Sequence, residues 1–302
     1  MDETVLGKIG STPIARIGFE TPAQVFAKLE YLNPSGSIKD RTALFMVEKA
    51  EADGLLAPGG TIVEASSGNQ GISLAMIGAI KGYKVVITSP KKVSAEKLET
   101  MRAYGAKVVL CEPTKFIEDP KSYHSRALLL HKKIRGSFMP NQYFNLDNPQ
   151  AHYETLGPEI WEQTNGKITH FFAAAGTGGT VSGAGKFLKE KNPDVKVIAV
   201  DTATSFYSTN GHPKPYKLEG IGLDFKTPCF DEGVVDEVIP VKDKEATDMM
   251  KTMARAHGLL IGPSSGAVAF AAQKCCAKLK DGNVAVIVLA DSGRAYLSKK
   301  YF

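Results

Sequence analysis

Residues 168–191 read ITHFFAAAGTGGTVSGAGKFLKEK, and the class of fold turns on them. The first eight residues are a near-continuous apolar run, the pattern of a strand buried on both faces. A glycine turn, GTGG, follows at 176–179, and TVSGAGKFLKEK continues as a helix. A strand that passes through glycines into a helix is one α/β unit.

The same unit recurs on both sides. TIVEA (61–65) leads through SSGNQG into ISLAMIGAIKG. KVVITS (84–89) precedes a helix over 96–104, and KVVLCE (107–112) follows it. KVIAVD (196–201) and VAVIVLA (284–290) supply two more buried strands. The fold class read from this is α/β, with two domains, each a mostly parallel twisted sheet flanked by helices. A polar stretch, MPNQYFNLDNPQ (139–150), separates the two series. It sets the expected domains at 1–145 and 146–302, with the first residues crossing to the second domain. TATSFYSTNGHPKPYK (202–217) reads as a long irregular segment, the kind that is functional or mobile in compact domains.

Composition removes several classes of function. The net charge of +5 is spread over 302 residues with acids interspersed, so no nucleic-acid surface is expected. No apolar run reaches the roughly 18 residues of a membrane span, and MDETVLGKIG is not a signal peptide. A cytoplasmic protein is expected. The four cysteines form no C-x-x-C pair and read as small buried residues, and the six histidines show no ligand spacing. No metal is expected.

Three loops and one lysine are candidates for chemistry. GTGGT (176–180) opens a helix and would present backbone N–H groups to an anion such as phosphate. It lacks the third glycine of the dinucleotide fingerprint, and GAGKF has Phe187 where a P-loop needs a hydroxyl. A bare tight turn is the other reading. ASSGNQG (65–71) would make a donor-rich cup for a carboxylate, or simply cap a helix. GPSSGA (262–267) reads as small hydroxyl residues preceding a helix. Lys39, in NPSGSIKDR, stands at a helix start, where cations are disfavoured. It is a surface charge, a phosphate ligand or a reacting amine, and burial would make it a usable nucleophile by lowering its pKa. An amine, a phosphate cup and a carboxylate cup together fit a pyridoxal phosphate Schiff base that handles an amino acid.

These motifs, in their order, carry a resemblance. NPSGSIKDR, EASSGNQG, GTGGT, KLEGIGLDF, GPSSGA and LADSG resemble those of the pyridoxal phosphate enzymes of fold type II, the tryptophan synthase β-like fold. Within these, the chain is similar to the cysteine synthase (O-acetylserine sulfhydrylase) and cystathionine β-synthase family, from GSTPIARI (10–17) to SGRAYLSKKYF (292–302). The resemblance implies pyridoxal 5′-phosphate as cofactor and Lys39 as the Schiff-base lysine and carrier of the α-proton. It implies that Asn69 bonds the cofactor's 3′-oxygen. Gly176, Thr177, Gly178, Gly179 and Thr180 would hold the phosphate, and Ser264 would face the pyridine nitrogen. Ser66, Ser67, Gly68, Gln70, Gln142 and Gly220 would contact the substrate, most of them at its carboxylate.

The reaction implied is β-replacement on O-acetylserine, serine or cysteine, through an aminoacrylate trapped by sulfide or a thiol. Cysteine synthase comes first. Cystathionine β-synthase, using serine and homocysteine, and a cysteine-using synthase that forms lanthionine and releases sulfide are alternatives. A serine/threonine dehydratase and a cofactor-free interaction protein stand further off. The family is commonly a homodimer, and one is expected here. The chain departs from the family at Ser66 and Gln70, where threonine is usual, and at Ala290, where proline is usual. Leu223 stands where the cystathionine branch usually has tyrosine.

Overall fold

The computed structural model describes residues 4–114 and 117–302. In chain order the main elements begin with β1 (Ile14–Ile17), β2 (Gln24–Leu29), α1 (Lys39–Ala52), β3 (Thr61–Ala65), α2 (Asn69–Lys81) and β4 (Lys84–Pro90). There follow α3 (Ala95–Ala103), β5 (Lys107–Cys111), α4 (Tyr123–Lys133), β6 (Ser137–Phe138), α5 (Asp147–Glu154) and α6 (Leu156–Gln163). The remainder are β7 (His170–Ala174), α7 (Gly179–Lys191), β8 (Lys196–Thr202), β9 (Glu237–Val241), α8 (Asp243–His257), α9 (Pro263–Cys276) and β10 (Val284–Leu289).

The strands make two sheets, ordered β5-β4-β3-β6 and β1-β2-β10-β7-β8-β9. Every pairing is parallel except β1 with β2. Parallel strands need crossover helices, and helices cover both faces of the larger sheet. Alternate residues divide between the two covers. Phe172, Ile198 and Ile287 pack in one cluster with α8 and α9, while Phe171, Val197 and Val286 pack in the other with α6 and α7. This is why β10 reads VAVIVL without a polar residue, and all six of its residues are buried.

Strands β1, β2 and β9 lie outside the apolar runs picked out by patterning. The edge strands β1 and β9 are only partly buried, so they need no continuous apolar sequence. β2 is disguised by Lys28, whose fully buried amine reaches Glu159 at 2.6 Å, Gln163 at 2.9 Å and the carbonyl of Thr12 at 2.6 Å. Arg41 grips the same Glu159 at 2.6 and 2.7 Å and Glu30 at 2.8 Å, so α1, α6 and the β1–β2 pair are tied at one point.

The expectation that residues 262–267 precede a helix needs correction. Pro263 occupies the first turn of α9, so Ser264 and Ser265 lie within that turn and Gly262 is the cap. Proline favours the first helical position because its missing N–H would be unpaired there anyway. The 202–217 segment is irregular apart from the end of β8 at Thr202 and a 3₁₀ turn over Tyr207–Thr209. Of the cysteines, Cys111, Cys229 and Cys276 are buried, whereas Cys275 is partly exposed; all four are free thiols.

Candidate active site

The loops after β3, β4, β5 and β7 open at the carboxyl ends of their strands, where open parallel sheets leave crevices for ligands. They meet around a cavity of about 230 Å³. Lys39, Ser66, Ser67, Gly68, Asn69 and Gln70 line it from the smaller sheet's side, with Gln142 joining them. Gly176, Thr177 and Gly220 line the opposite wall. Four of the expected residues do not reach the cavity surface. Gly178, Gly179 and Thr180 form the start of α7, and Ser264, in the first turn of α9, has its Oγ 3.5 Å from where a Gly220 Cβ would sit.

Lys39 is the first residue of α1. An antiparallel bridge between Ser37 and Asp291, and the Ile38 N–H donating to the Ala290 carbonyl at 2.9 Å, hold the segment before it. Among the described residues Lys39 Nζ has no hydrogen-bond or salt-bridge partner. Burial holds this amine down to about 8, against the opposing pull of Cys229 and Asp291. An unpaired amine with this pKa is a nucleophile within the physiological range.

The cup after β3 is built from its own turn. Ser66 Oγ accepts from the N–H of Gly68 at 3.1 Å and of Gly71 at 2.9 Å, which leaves the hydroxyl proton to donate. Gly68 adopts φ +154, and a Cβ there would come within 2.4 Å of Lys97 Cδ. Gln70 Oε1 accepts from Thr42 at 3.0 Å, while its buried Nε2 has no partner. Gln142 Nε2 donates to the Ala65 carbonyl at 3.2 Å. An unpartnered buried donor beside two serines suits a carboxylate, because a buried polar group without a partner is costly.

The glycine loop is held from α5 by residues that patterning does not single out. Asn148 Nδ2 donates to Thr177 Oγ1 and to the Gln142 carbonyl, both at 2.8 Å, so one side chain ties the two cups together. His152 Nε2 lies 3.1 Å from Thr180 Oγ1. Burial, and then the charges of Lys39 and Arg41, hold this histidine well below its ordinary range, so it is neutral. A Cβ on Gly179 would stand 2.1 Å from Asn148 Oδ1, and one on Gly176 would stand 2.8 Å from the Gly220 carbonyl oxygen. Larger residues would therefore close the cradle. Asn148 and His152 fall in DNPQAHYE, a sequence without any marker of function.

Further polar groups face the cavity. The Asp224 carboxyl is pushed up by burial although Lys92 and Tyr216 oppose the shift. The Tyr123 and Tyr143 hydroxyls lie 3.2 Å apart. Leu223 faces the core, buried to 5% exposure, and is not part of the cavity wall. Among the described residues no group of histidine, cysteine or acidic side chains could hold a metal ion, and no helix is long and apolar enough to cross a membrane.

The donor set fits pyridoxal phosphate. The start of the 13-residue helix α7, with Thr177 beside it, can take a phosphate dianion, and the unpaired amine of Lys39 can take an aldehyde. The family described as pyridoxal-phosphate dependent enzyme matches residues 5–291. A cysteine synthase from Staphylococcus aureus is 42% identical over 294 residues, covering 96% of this chain and 94% of the relative. A cystathionine beta-synthase from Apis mellifera is 41% identical over 304 residues, covering 98% of this chain. The chain spans only 60% of that relative's length. Among solved structures, the O-acetylserine dependent cystathionine beta-synthase from Helicobacter pylori superposes with a TM-score of 0.93 at 34% identity, covering 100% of this chain and 99% of the other.

Proposed function

Because the chain belongs to the pyridoxal-phosphate dependent enzyme family, we propose that it replaces the β-substituent of a serine-type amino acid with sulfide or a thiol, first as a cysteine synthase acting on O-acetylserine and sulfide. The observation that carries this reading is the unpaired Lys39 amine, held down to about 8, between a carboxylate cup and a glycine loop in one cavity. Pyridoxal phosphate, when bound, supplies an aldehyde that captures amines and a ring that accepts electrons from bonds broken at the amino acid's α-carbon.

This chain's residues do the rest. Lys39 would hold the aldehyde, release it to the amino acid's amine, and move the α-proton. The N–H groups opening α7 would hold the phosphate with Thr177 and Thr180, whose hydroxyls meet Asn148 and His152. Asn69 would bond the 3′-oxygen, and Ser264 would offer the ring nitrogen an uncharged partner, which suits prompt loss of the β-substituent. Ser66, Ser67, Gln70 and Gln142 bind the substrate carboxylate, with Gly68 and Gly220 leaving room. Closing the substrate-carboxylate side of the cleft onto the phosphate-binding side would exclude water. The division at 145/146, a homodimer and a cytoplasmic location belong to the same proposal.

A second reading has one specific support. Hydroxide leaves less readily than acetate, so serine as first substrate requires an acid near the β-carbon. Asp224 lines the cavity with its carboxyl pushed up by burial, which would suit it to protonate a leaving group or to receive a thiol proton. Serine with homocysteine, or cysteine as first substrate, is therefore the alternative. An absorbance titration of the purified protein with O-acetylserine, serine, phosphoserine and cysteine in turn separates these readings. The expected result is a change in the cofactor's visible absorbance with O-acetylserine, and cysteine by product mass once sulfide is added. A response to serine or cysteine alone would select the second reading. A colourless protein that takes up no pyridoxal phosphate would overturn both.

A further inference from the structure

Asp291 lies just beyond the end of β10, is 2% exposed, and has no role in the reaction as described above. Its backbone pairs with Ser37, two residues before Lys39, and its carbonyl accepts from the Gly262 N–H at 3.0 Å. Its side chain reaches Asn69 and Tyr296. Asp291 Oδ2 accepts from Asn69 Nδ2 at 2.7 Å and from the Tyr296 hydroxyl at 2.5 Å. Lys97, from α3, donates to the same Tyr296 oxygen at 2.8 Å and lies 3.4 Å from Glu219. Asp291 Oδ1 is buried without a partner, and a Cβ on Gly262 would stand 2.0 Å from it. The charged and titratable groups around Asp291 are thus Lys39, Lys97, Tyr296 and Glu219.

An asparagine amide presents an NH₂ on one side and an oxygen on the other, and either can face a neutral partner. Burial pushes the Asp291 carboxyl up, while Lys97, Tyr296 and Asn69 oppose the shift. Lys97 donates to the Tyr296 oxygen, so the Tyr296 proton goes to Asp291 Oδ2, which is thereby an acceptor and admits the NH₂ side of Asn69 alone. A bond to a carboxylate is also shorter and stronger than one between neutral groups. Asn69 lines the cavity, and its bond to Asp291 occupies one N–H. The second N–H and the amide oxygen remain for whatever fills the cavity.

We propose that Asp291 is a positioning residue for the cofactor: by accepting from Asn69 it fixes which way the amide faces and keeps one N–H available to the oxygen on the cofactor ring. This rests on the reading that Asn69 bonds that oxygen. The role is electronic as well as steric, since the strength of that bond sets how the ring oxygen and the lysine-bound nitrogen share their proton.

The experiment uses the full chain stripped of cofactor and reloaded with pyridoxal phosphate. It records the dissociation constant and the visible absorbance across pH for Asp291→Asn, Asn69→Ala, the double variant and Tyr296→Phe. In Asp291→Asn the dissociation constant is expected to rise about tenfold, the effect of one weakened buried hydrogen bond. The pH profile of the absorbance should shift as it does in Asn69→Ala, with the double variant no worse than Asn69→Ala. Tyr296→Phe, which leaves the Asp291–Asn69 bond in place, should keep the profile of the unaltered protein. If Asp291→Asn does not fold, Asp291→Ser carries the same expectation with a smaller side chain.

Two results would overturn the inference while leaving the Asn69 reading intact: an unshifted profile in both Asp291 variants, or an equal shift in Tyr296→Phe, which would assign the effect to loosened packing. Unchanged affinity and absorbance in Asn69→Ala would overturn that reading, and the inference with it.

Discussion

Among single residues, Lys39 is the one whose surroundings most change what its side chain can do. Its environment lowers its pKa to about 8 from an ordinary 10.5, chiefly by burial. The neutral amine is the form that attacks an aldehyde, so cofactor capture by the stripped protein should accelerate as pH rises through about 8 and then level off. A solvated lysine would continue to accelerate above 10. Stopped-flow absorbance against pH distinguishes the two. Lys39→Ala would remove both roles proposed for this residue, nucleophile and proton carrier. Turnover is expected to fall by at least about a thousandfold, with no covalently held cofactor by mass spectrometry. Normal turnover would remove Lys39 from the mechanism.

Between elements, helices meet at glycines and at one buried ion cluster. α7 packs against α5 through glycines, and a Cβ on Gly183 would stand 1.9 Å from the Pro149 carbonyl oxygen. Gly183→Ala must separate the helices that flank the glycine loop at 176–180. It is expected to cost roughly 1–3 kcal/mol by denaturant titration, and to weaken cofactor binding as well. Where α6 meets α1 and the β1–β2 pair, burial raises the Glu159 carboxyl, but Arg41 and then Lys28 outweigh it and hold it down to about 2. Lys28 shifts the other way from a stabilised cation, because burial lowers its amine more than Glu159 restores it. The carboxylate is therefore the end of the pair whose titration governs acid stability. With the folded pKa depressed below the ordinary 4.5, its contribution is complete above that pH and is lost as pH falls towards 2. Glu159→Gln should destabilise the protein by about 3 kcal/mol at neutral pH and flatten that part of the acid-denaturation curve. A variant with an unchanged curve would show that the cluster contributes nothing net.

For the whole molecule, the cavity joins groups from both sheets, so a cofactor that fills it binds the folded state alone. Stripping pyridoxal phosphate should lower Tm, and restoring it at about a thousand times its dissociation constant should return roughly 4 kcal/mol of stability. α3 also docks on the chain's last turn: Ser94 donates to the Ala295 carbonyl at 2.7 Å, and the Ser298 N–H to Glu96 at 2.7 Å. Calorimetry with and without cofactor should show a single shifted transition; an unshifted Tm would mean that the cavity does not hold the cofactor.

The repeating α/β units, the glycine loops and the lysine at a helix start are legible along the chain alone. Each is a local demand, met within a few residues by backbone conformation, strand burial or helix-end donors. The sequence also carried the family, because the motifs keep their order. Only the tertiary structure decided what stands behind them. Asn148 is 29 residues from the threonine it holds, and Asp291 is 222 residues from Asn69. No periodicity or spacing encodes such pairs, since chain distance does not set spatial distance once the chain crosses between sheets. The mixed sequences of β1, β2 and β9 were hidden for a related reason. An edge strand needs few apolar residues, and Lys28 becomes a core residue only when Glu159, 131 positions away, arrives beside it.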